Sequence, residues 1–198
     1  MHARVASFEG GDFERLRQVT AERTGSGSEG LPDGTRRVLV LADPSRERRL
    51  FITLFDSREA TEAAEQRFEE LGDEIPEDVR GRRTAVEAYE VTIDEEGEGA
   101  AAARVSRFDG SPDQIDSATE YARDNILPRV RALDGWKGVL SLADRETGRG
   151  CLITFWESTD ALQASEERAD DLRRESADAS GGTITSVERY DLVFSHSV

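Results

Sequence analysis

The chain has 198 residues and a net charge of −16, with 42 acidic side chains against 26 basic ones, of which Lys137 is the sole lysine. A field of that sign repels nucleic acid and anionic lipid, so neither is an expected partner. A single cysteine, Cys151, excludes an intrachain disulfide and a CxxC metal knuckle, and inside an apolar run it reads as a small buried hydrophobe. MHARVASFEG carries no apolar h-region, and no run approaches membrane-spanning length, so a soluble, cytoplasmic protein is expected.

In chain order, Ala3–Glu9 alternates, and Val5 with Phe8 predicts a short strand. Asp12 is placed to cap a helix through about Arg23, with Phe13, Leu16 and Val19 at helical spacing. Thr24–Gly34, TGSGSEGLPDG, is a flexible loop by composition. Arg37–Asp43 and Arg49–Phe55 are predicted strands of a hairpin that turns at Pro44–Arg48. Ser57 caps a helix to about Leu71 with the stripe Ala60, Ala63, Ala64, Phe68 and Leu71. Gly72–Arg83 reads as a charged loop and Thr84–Ile93 as a strand. Asp94–Gly99, DEEGEG, reads as a linker.

Beyond the linker the order recurs. Ala102–Asp109 is a strand, and Ser111-Pro112 opens a helix whose stripe is Ile115, Ala118, Ala122, Ile126 and Val130. Pro128 should kink or end that helix. Asp134-Gly135 is a turn matching Asp33-Gly34. Gly138–Asp144 and Gly150–Trp156 form a second hairpin. Ser158 caps a helix with Ala161, Leu162, Ser165, Ala169 and Leu172, and Thr183–His196 is the last strand.

The two halves are copies. Val38–Ala60 and Val139–Ala161 align at an offset of 101 with identity at ten of 23 positions, among them Asp43/Asp144, Thr53/Thr154 and Ser57/Ser158. Ala3–Gly10 faces Ala103–Gly110 at an offset of 100, and Val86–Ile93 faces Val187–Phe194 at 101. A period of about a hundred residues means a duplicated unit. The repeats are residues 1–95 and 101–198.

Each repeat runs β-α-β-β-α-β, the ferredoxin-like order, so the fold class is α+β. Two helices cover one face of a four-stranded antiparallel sheet, and the other face should then alternate apolar and polar. VLVLA, LFITLF and CLITFW do not alternate, so the second face must also be covered. The matching face of the other copy is the simplest cover. The expected architecture is two ferredoxin-like units packed sheet to sheet as a pseudo-dimeric α+β barrel, in a chain that is otherwise monomeric.

Leu133–Glu167, LDGWKGVLSLADRETGRGCLITFWESTDALQASEE, resembles the antibiotic-biosynthesis-monooxygenase-like family of dimeric α+β barrels. The features that carry the resemblance are Gly135–Gly138, the turn Asp144–Gly150, and the junction Thr154-Phe155-Trp156-Glu157-Ser158 before Ala161-Leu162. It covers the second copy and, more weakly, the first. It implies the fold firmly and the chemistry loosely, because the superfamily holds cofactor-free oxygenases, haem-degrading enzymes and members without known chemistry. Haem-degrading relatives use an asparagine on the first strand and a tryptophan and a histidine on helices. Arg104–Phe108 has no asparagine, and neither the helix after Ser111 nor that after Ser158 carries tryptophan or histidine.

The resemblance therefore implies a cofactor-independent monooxygenase acting on an electron-rich aromatic, a polyketide-like molecule or a quinol. A small aromatic molecule is the implied partner and no cofactor is implied. Such a site needs a dry aromatic pocket with a few polar groups. The second copy supplies Trp136, Tyr121, Arg107, Asn125, Trp156 and Tyr190 as candidate substrate-binding residues. Strand-end aromatics such as Trp156 and Tyr190 are usually core residues, and the repetition of Tyr190 by Tyr89 favours a shared structural role. Trp136 has no counterpart, since Thr35 stands in its place in the first copy. His2 and His196 lie near the termini, and no cluster has metal-ligand spacing. The competing reading is a barrel that binds a small molecule, or is purely structural, without chemistry.

Overall fold

The structure, a computed structural model, describes residues 1–12, 14–15, 18, 31–74 and 76–198, apart from the side chains of residues 71, 73 and 74. The helix expected from Asp12 to Arg23, the first part of the glycine-serine loop and the side chain of Leu71 lie largely outside them. Asp12 does accept the backbone N–H of Arg15 at 3.0 Å, as a capping residue should. Two compact units are distinguished, residues 1–88 with 192–198 and residues 89–191.

The first unit holds β1 (His2–Glu9), β2 (Thr35–Asp43), β3 (Arg48–Phe55), α1 (Arg58–Ala63), α2 (Glu65–Glu74) and α3 (Glu77–Arg80). Strand β3 lies between β1 and β2, antiparallel to both. The start of β4 (Arg82–Glu96) flanks β1, and Thr84 Oγ1 donates to the carbonyl of Ser7. The end of a last strand, β8 (Thr183–Ser197), flanks β2, and the backbone N–H of Val198 beyond it donates to the carbonyl of Arg36.

The second unit holds the rest of β4, then β5 (Ala102–Asp109), α4 (Ile115–Tyr121), α5 (Leu127–Arg131), β6 (Trp136–Ala143), β7 (Arg149–Trp156), α6 (Thr159–Ala164), α7 (Glu166–Ser180) and most of β8. Its antiparallel order is β8-β5-β7-β6-β4.

Repeated residues make repeated turns. Asp43 accepts the backbone N–H groups of Ser45 and Arg46, and Asp144 accepts that of Glu146 at 2.8 Å. An aspartate that bonds the backbone two residues on starts each hairpin turn. Ser57 and Ser158 cap α1 and α6 by accepting from the N–H groups of Ala60 and Ala161. Both helices then break at the matching positions Ala64 and Ser165, so that Glu65 and Glu166 each open a new helix.

Three expectations are corrected. Gly72–Arg83 is not all loop: α2 runs to Glu74, α3 follows, and β4 already begins at Arg82. The DEEGEG segment is half strand, because Asp94, Glu95 and Glu96 pair with Leu140, Val139 and Gly138. Arg131 forms an ion pair with Glu95, which lets an acidic triplet stay in a ladder. The helix through Pro128 neither ends nor simply kinks there. A π-helical turn, Ala122–Ile126, joins α4 to α5 and absorbs the missing proline N–H.

Both faces of the second unit's sheet are buried, as the non-alternating strands require. Val105, Leu140, Leu142 and Ile153 on one face, and Trp156 on the other, are each 0% exposed. No helix among the described residues is long and apolar enough to cross a membrane.

Gly34 and Gly135 occupy matching turns with φ of 78° and 77°. A Cβ at Gly135 would also stand 2.5 Å from Cβ of Ala161. Gly135→Ala therefore combines left-handed strain with a clash, and is expected to lower unfolding stability by about 2 kcal/mol in urea titration.

Candidate functional site

Strand pairing decides which side chains share the helix-covered face of the second unit. Arg104 of β5 lies opposite Thr154 of β7 and opposite Arg189 of β8, and Thr154 lies opposite Val139 of β6. The next row on that face is Ser141, Leu152, Ser106 and Val187. Alternation then assigns Arg107, with Ala103 and Val105, to the other face.

Between this face and the helices lies a cavity of about 140 Å³. The sheet contributes Arg104, Ser106, Phe108, Ser141, Leu152, Thr154 and Trp156. The helices contribute Ile115, Ala118, Thr119, Leu127, Val130, Leu172 and Arg173, and the π turn contributes Ala122 and Ile126. The wall is therefore apolar with scattered hydroxyls and two guanidinium groups. Among the described lining residues there is no carboxylate, histidine or cysteine. No group of three metal-ligating side chains occurs among the described residues of the chain.

The electrostatics centre on Glu166, the first residue of α7. Its carboxylate accepts from Arg104 at 3.1 Å, from Arg173 at 3.1 Å, and from Arg189 at 3.1 and 2.8 Å. The helix N-terminus adds partial positive charge at the same point. Burial pushes the Glu166 carboxyl up, but the Arg189 hydrogen bond and the neighbouring Arg104 charge outweigh it, and the group sits below its ordinary value.

Arg104 is 2% exposed. One terminal nitrogen donates to the carbonyl of Leu162 at 2.7 Å, to Ser165 Oγ at 3.0 Å and to Glu166. Its Cζ lies 5.3 Å from the ring centre of Trp156, a cation–π distance. Its Nε is buried without an acceptor. Burial above all, opposed by Glu166 and aided by Arg173 and Arg189, holds the guanidinium below its ordinary value.

The first unit has the same pair in simpler form. Arg4, the counterpart of Arg104, donates from Nε to Glu65 at 2.8 Å and from a terminal nitrogen at 3.2 Å. Arg173 and Arg189 have no cationic counterparts, because Gly72 and Ala88 stand at those positions. One carboxylate thus serves one arginine in the first unit and three in the second.

Of the six residues singled out from sequence, Trp156 lines the cavity, fully buried, with Nε1 donating to Thr154 Oγ1 at 3.0 Å. Trp136 lies opposite it across β6 and β7 and packs against the apolar clusters that contain Leu127, Leu162 and Leu172, its Nε1 buried without an acceptor. Tyr121 donates to Glu175 at 3.3 Å, and Asn125 donates to the carbonyl of Tyr121 at 3.1 Å on an exposed edge. Loss of hydration and the Glu175 charge hold the Tyr121 hydroxyl above its ordinary value. Tyr190 is buried on the face of Ala103 and donates to Glu188 at 3.2 Å. The two tryptophans are brought together, as are Tyr121 and Asn125, while Arg107 and Tyr190 belong to the opposite face. Sequence reasoning missed Arg104, Arg173 and Glu166. The signal was there in the repeated Ala-Arg-Val of Ala3–Val5 and Ala103–Val105, a charge kept inside an apolar strand in both copies.

Glu166→Gln would leave three guanidinium groups with one fewer counter-charge. A carboxyl held below its ordinary value contributes stability above its unfolded-state pKa and loses it as pH falls through the folded value. Glu166→Gln is expected to cost about 2 kcal/mol at pH 7, allowing for partial exposure, and to flatten the loss of stability seen by denaturant titration below about pH 4.5.

No family model matches the chain. An uncharacterised protein of Mycobacterium tuberculosis is 26% identical over 167 residues, 83% of this chain and 74% of its own length. A crystal structure of a candidate monooxygenase from Lactobacillus acidophilus superposes with a TM-score of 0.67 over 99% of this chain and 95% of that one, at 12% identity. An anthrone oxidase-like protein gives 0.65 over 99% and 92%, at 15% identity. A haem-degrading enzyme from Listeria monocytogenes gives 0.55 over 96% and 99%, at 12% identity. At these identities the likeness establishes the fold, which is the ferredoxin-like, dimeric α+β-barrel type expected from the resemblance.

Proposed function

We propose that the second unit binds a single-ring aromatic molecule in its cavity and promotes monooxygenation of it by O₂ without a bound cofactor. The observation that carries this reading is the cavity itself, an apolar space between sheet and helices with hydroxyls from Ser106, Ser141 and Thr154 in its wall. Proteins of this fold named as a monooxygenase candidate and an anthrone oxidase-like protein support the reaction class. Size narrows the substrate. A dry cavity of about 150 Å³ holds one benzene-sized ring, and the space here is about 140 Å³. A monocyclic quinol matches that space.

The chemistry balances without an external reductant. A quinol and O₂ give a hydroxyquinone and water, the substrate supplying all the electrons and O₂ one oxygen atom to each product. Electron transfer to O₂ is easier from the anion, so the phenolic proton must leave first. Among the described lining residues no carboxylate or imidazole stands ready to take it. The proton then goes to solvent, and what the protein contributes is a dry pocket with cationic and hydroxyl donors that favour the anion.

The lack of a protein base also supports a second reading, a binding module without turnover. The two separate in one assay. With hydroquinone, saturable O₂ uptake above the buffer rate is expected, rising with pH through the quinol's own ionisation. Labelled O₂ should place one atom in the product, and hydrogen peroxide should not accumulate. Ala118→Phe, which fills the cavity, should abolish the excess rate. Saturable binding of hydroquinone with no O₂ uptake above buffer would leave the binding module, and no binding at all would overturn both readings.

A further inference from the structure

We infer that the cavity is selective for anions: the molecule it takes ends in an anionic oxygen group, a phenolate or carboxylate, held at Arg104 and Arg173. This rests on the reading of the cavity as a small-molecule site and names the charge of its ligand.

A guanidinium on a buried sheet face must be neutralised and hydrogen-bonded, or it costs several kilocalories per mole. At the equivalent position the first unit meets that demand, since Glu65 takes both Nε and a terminal nitrogen of Arg4. The second unit does not. Glu166 is divided among Arg104, Arg173 and Arg189, and Asp170, 41% exposed, is the further carboxylate on Arg173. Arg104 and Arg189 are direct cross-strand neighbours, an arrangement that like charges disfavour. The result is a local excess of positive charge in a chain of net charge −16.

That excess faces the cavity. Arg104 and Arg173 both line it, 2% and 9% exposed, and Arg104 keeps a buried Nε with no acceptor. A buried donor without a partner in a native structure calls for one. An anionic oxygen would supply the acceptor and the missing negative charge together, and charge-assisted hydrogen bonds are about twice as strong as neutral ones. Thr154 and Trp156 lie beside Arg104 and bound the apolar part of the ligand. The other walls are apolar, so a neutral ring enters by size alone and an anionic one gains the arginines in addition.

The test uses the full chain and three probes. Benzoate and benzyl alcohol differ in charge at similar size, and 4-nitrophenol reports its own ionisation because only the phenolate absorbs strongly in the visible. By calorimetry, benzoate should bind at least about tenfold tighter than benzyl alcohol. Binding should also turn 4-nitrophenol to its phenolate at a pH where the free molecule is mostly neutral. Arg104→Met and Arg173→Gln should each remove most of the preference for benzoate over benzyl alcohol, read as the ratio of the two affinities in the same variant. Arg4→Met, which breaks the equivalent pair of the first unit, should leave the preference intact and controls for general destabilisation. A benzoate preference without the nitrophenol shift would identify carboxylates as the ligand class, and the shift without the preference would identify phenolates. Equal affinity for benzoate and benzyl alcohol with no nitrophenol shift would overturn anion selectivity while leaving the cavity as a site. A preference that survives both Arg104→Met and Arg173→Gln would overturn it as well. Binding of none of the probes would overturn the cavity reading itself.

Discussion

The second unit is organised by one buried guanidinium. Arg104 stands in the middle of β5, on a face whose neighbours are Thr154, Val139 and the ring of Trp156. A full charge at 2% exposure is tolerable only if a carboxylate comes to it. The break between α6 and α7 brings that carboxylate, because Glu166 is thereby the first residue of a new helix, where a negative charge is favoured. The pair ties the start of α7 to β5 at the edge of the cavity. The first unit repeats the device with Arg4 and Glu65.

What differs between the copies is then more informative than what they share. Gly72 is replaced by Arg173 and Ala88 by Arg189, and both new cations converge on the same carboxylate. Phe55, buried in the first unit, is matched by Trp156, whose indole carries its own donor to Thr154. Arg49 of the first unit, wedged against the carbonyls of Gly10 and Gly11, is matched by Gly150, whose missing side chain leaves room for Phe108. The first two changes add polar groups around the helix-covered face of the second sheet, and the third replaces a hydrogen-bonded arginine with an aromatic ring.

The fold was largely legible in the sequence because its signals are local and written twice. The aspartates of both hairpin turns, the serine caps and the turn glycines carry their own geometry wherever they occur. The misread parts were those settled by partners distant in sequence. Asp94–Glu96 read as a linker because their charge suggested solvent, whereas Arg131 neutralises Glu95 and β6 takes the backbone. The π turn before Pro128 accommodates a residue without an N–H, which a hydrophobic stripe does not encode. The site was less legible for the same reason. Aromatic residues attract attention in a sequence, and Trp156 does line the cavity, but Tyr190 and Arg107 belong to the other face once the register is known. A strand arginine looks solvated until its partner, 62 residues away, is seen.

Strands β4 and β8, fifteen residues each, run on from one compact unit into the other. The first unit is therefore short of residues 192–198 until nearly all of the second has been made, however early β1, β2 and β3 leave the ribosome. Its sheet acquires a neighbour for β2 only after most of the second unit has been made, across a sequence separation of about 150 residues. Pairings this distant close slowly, because the intervening chain must be ordered first.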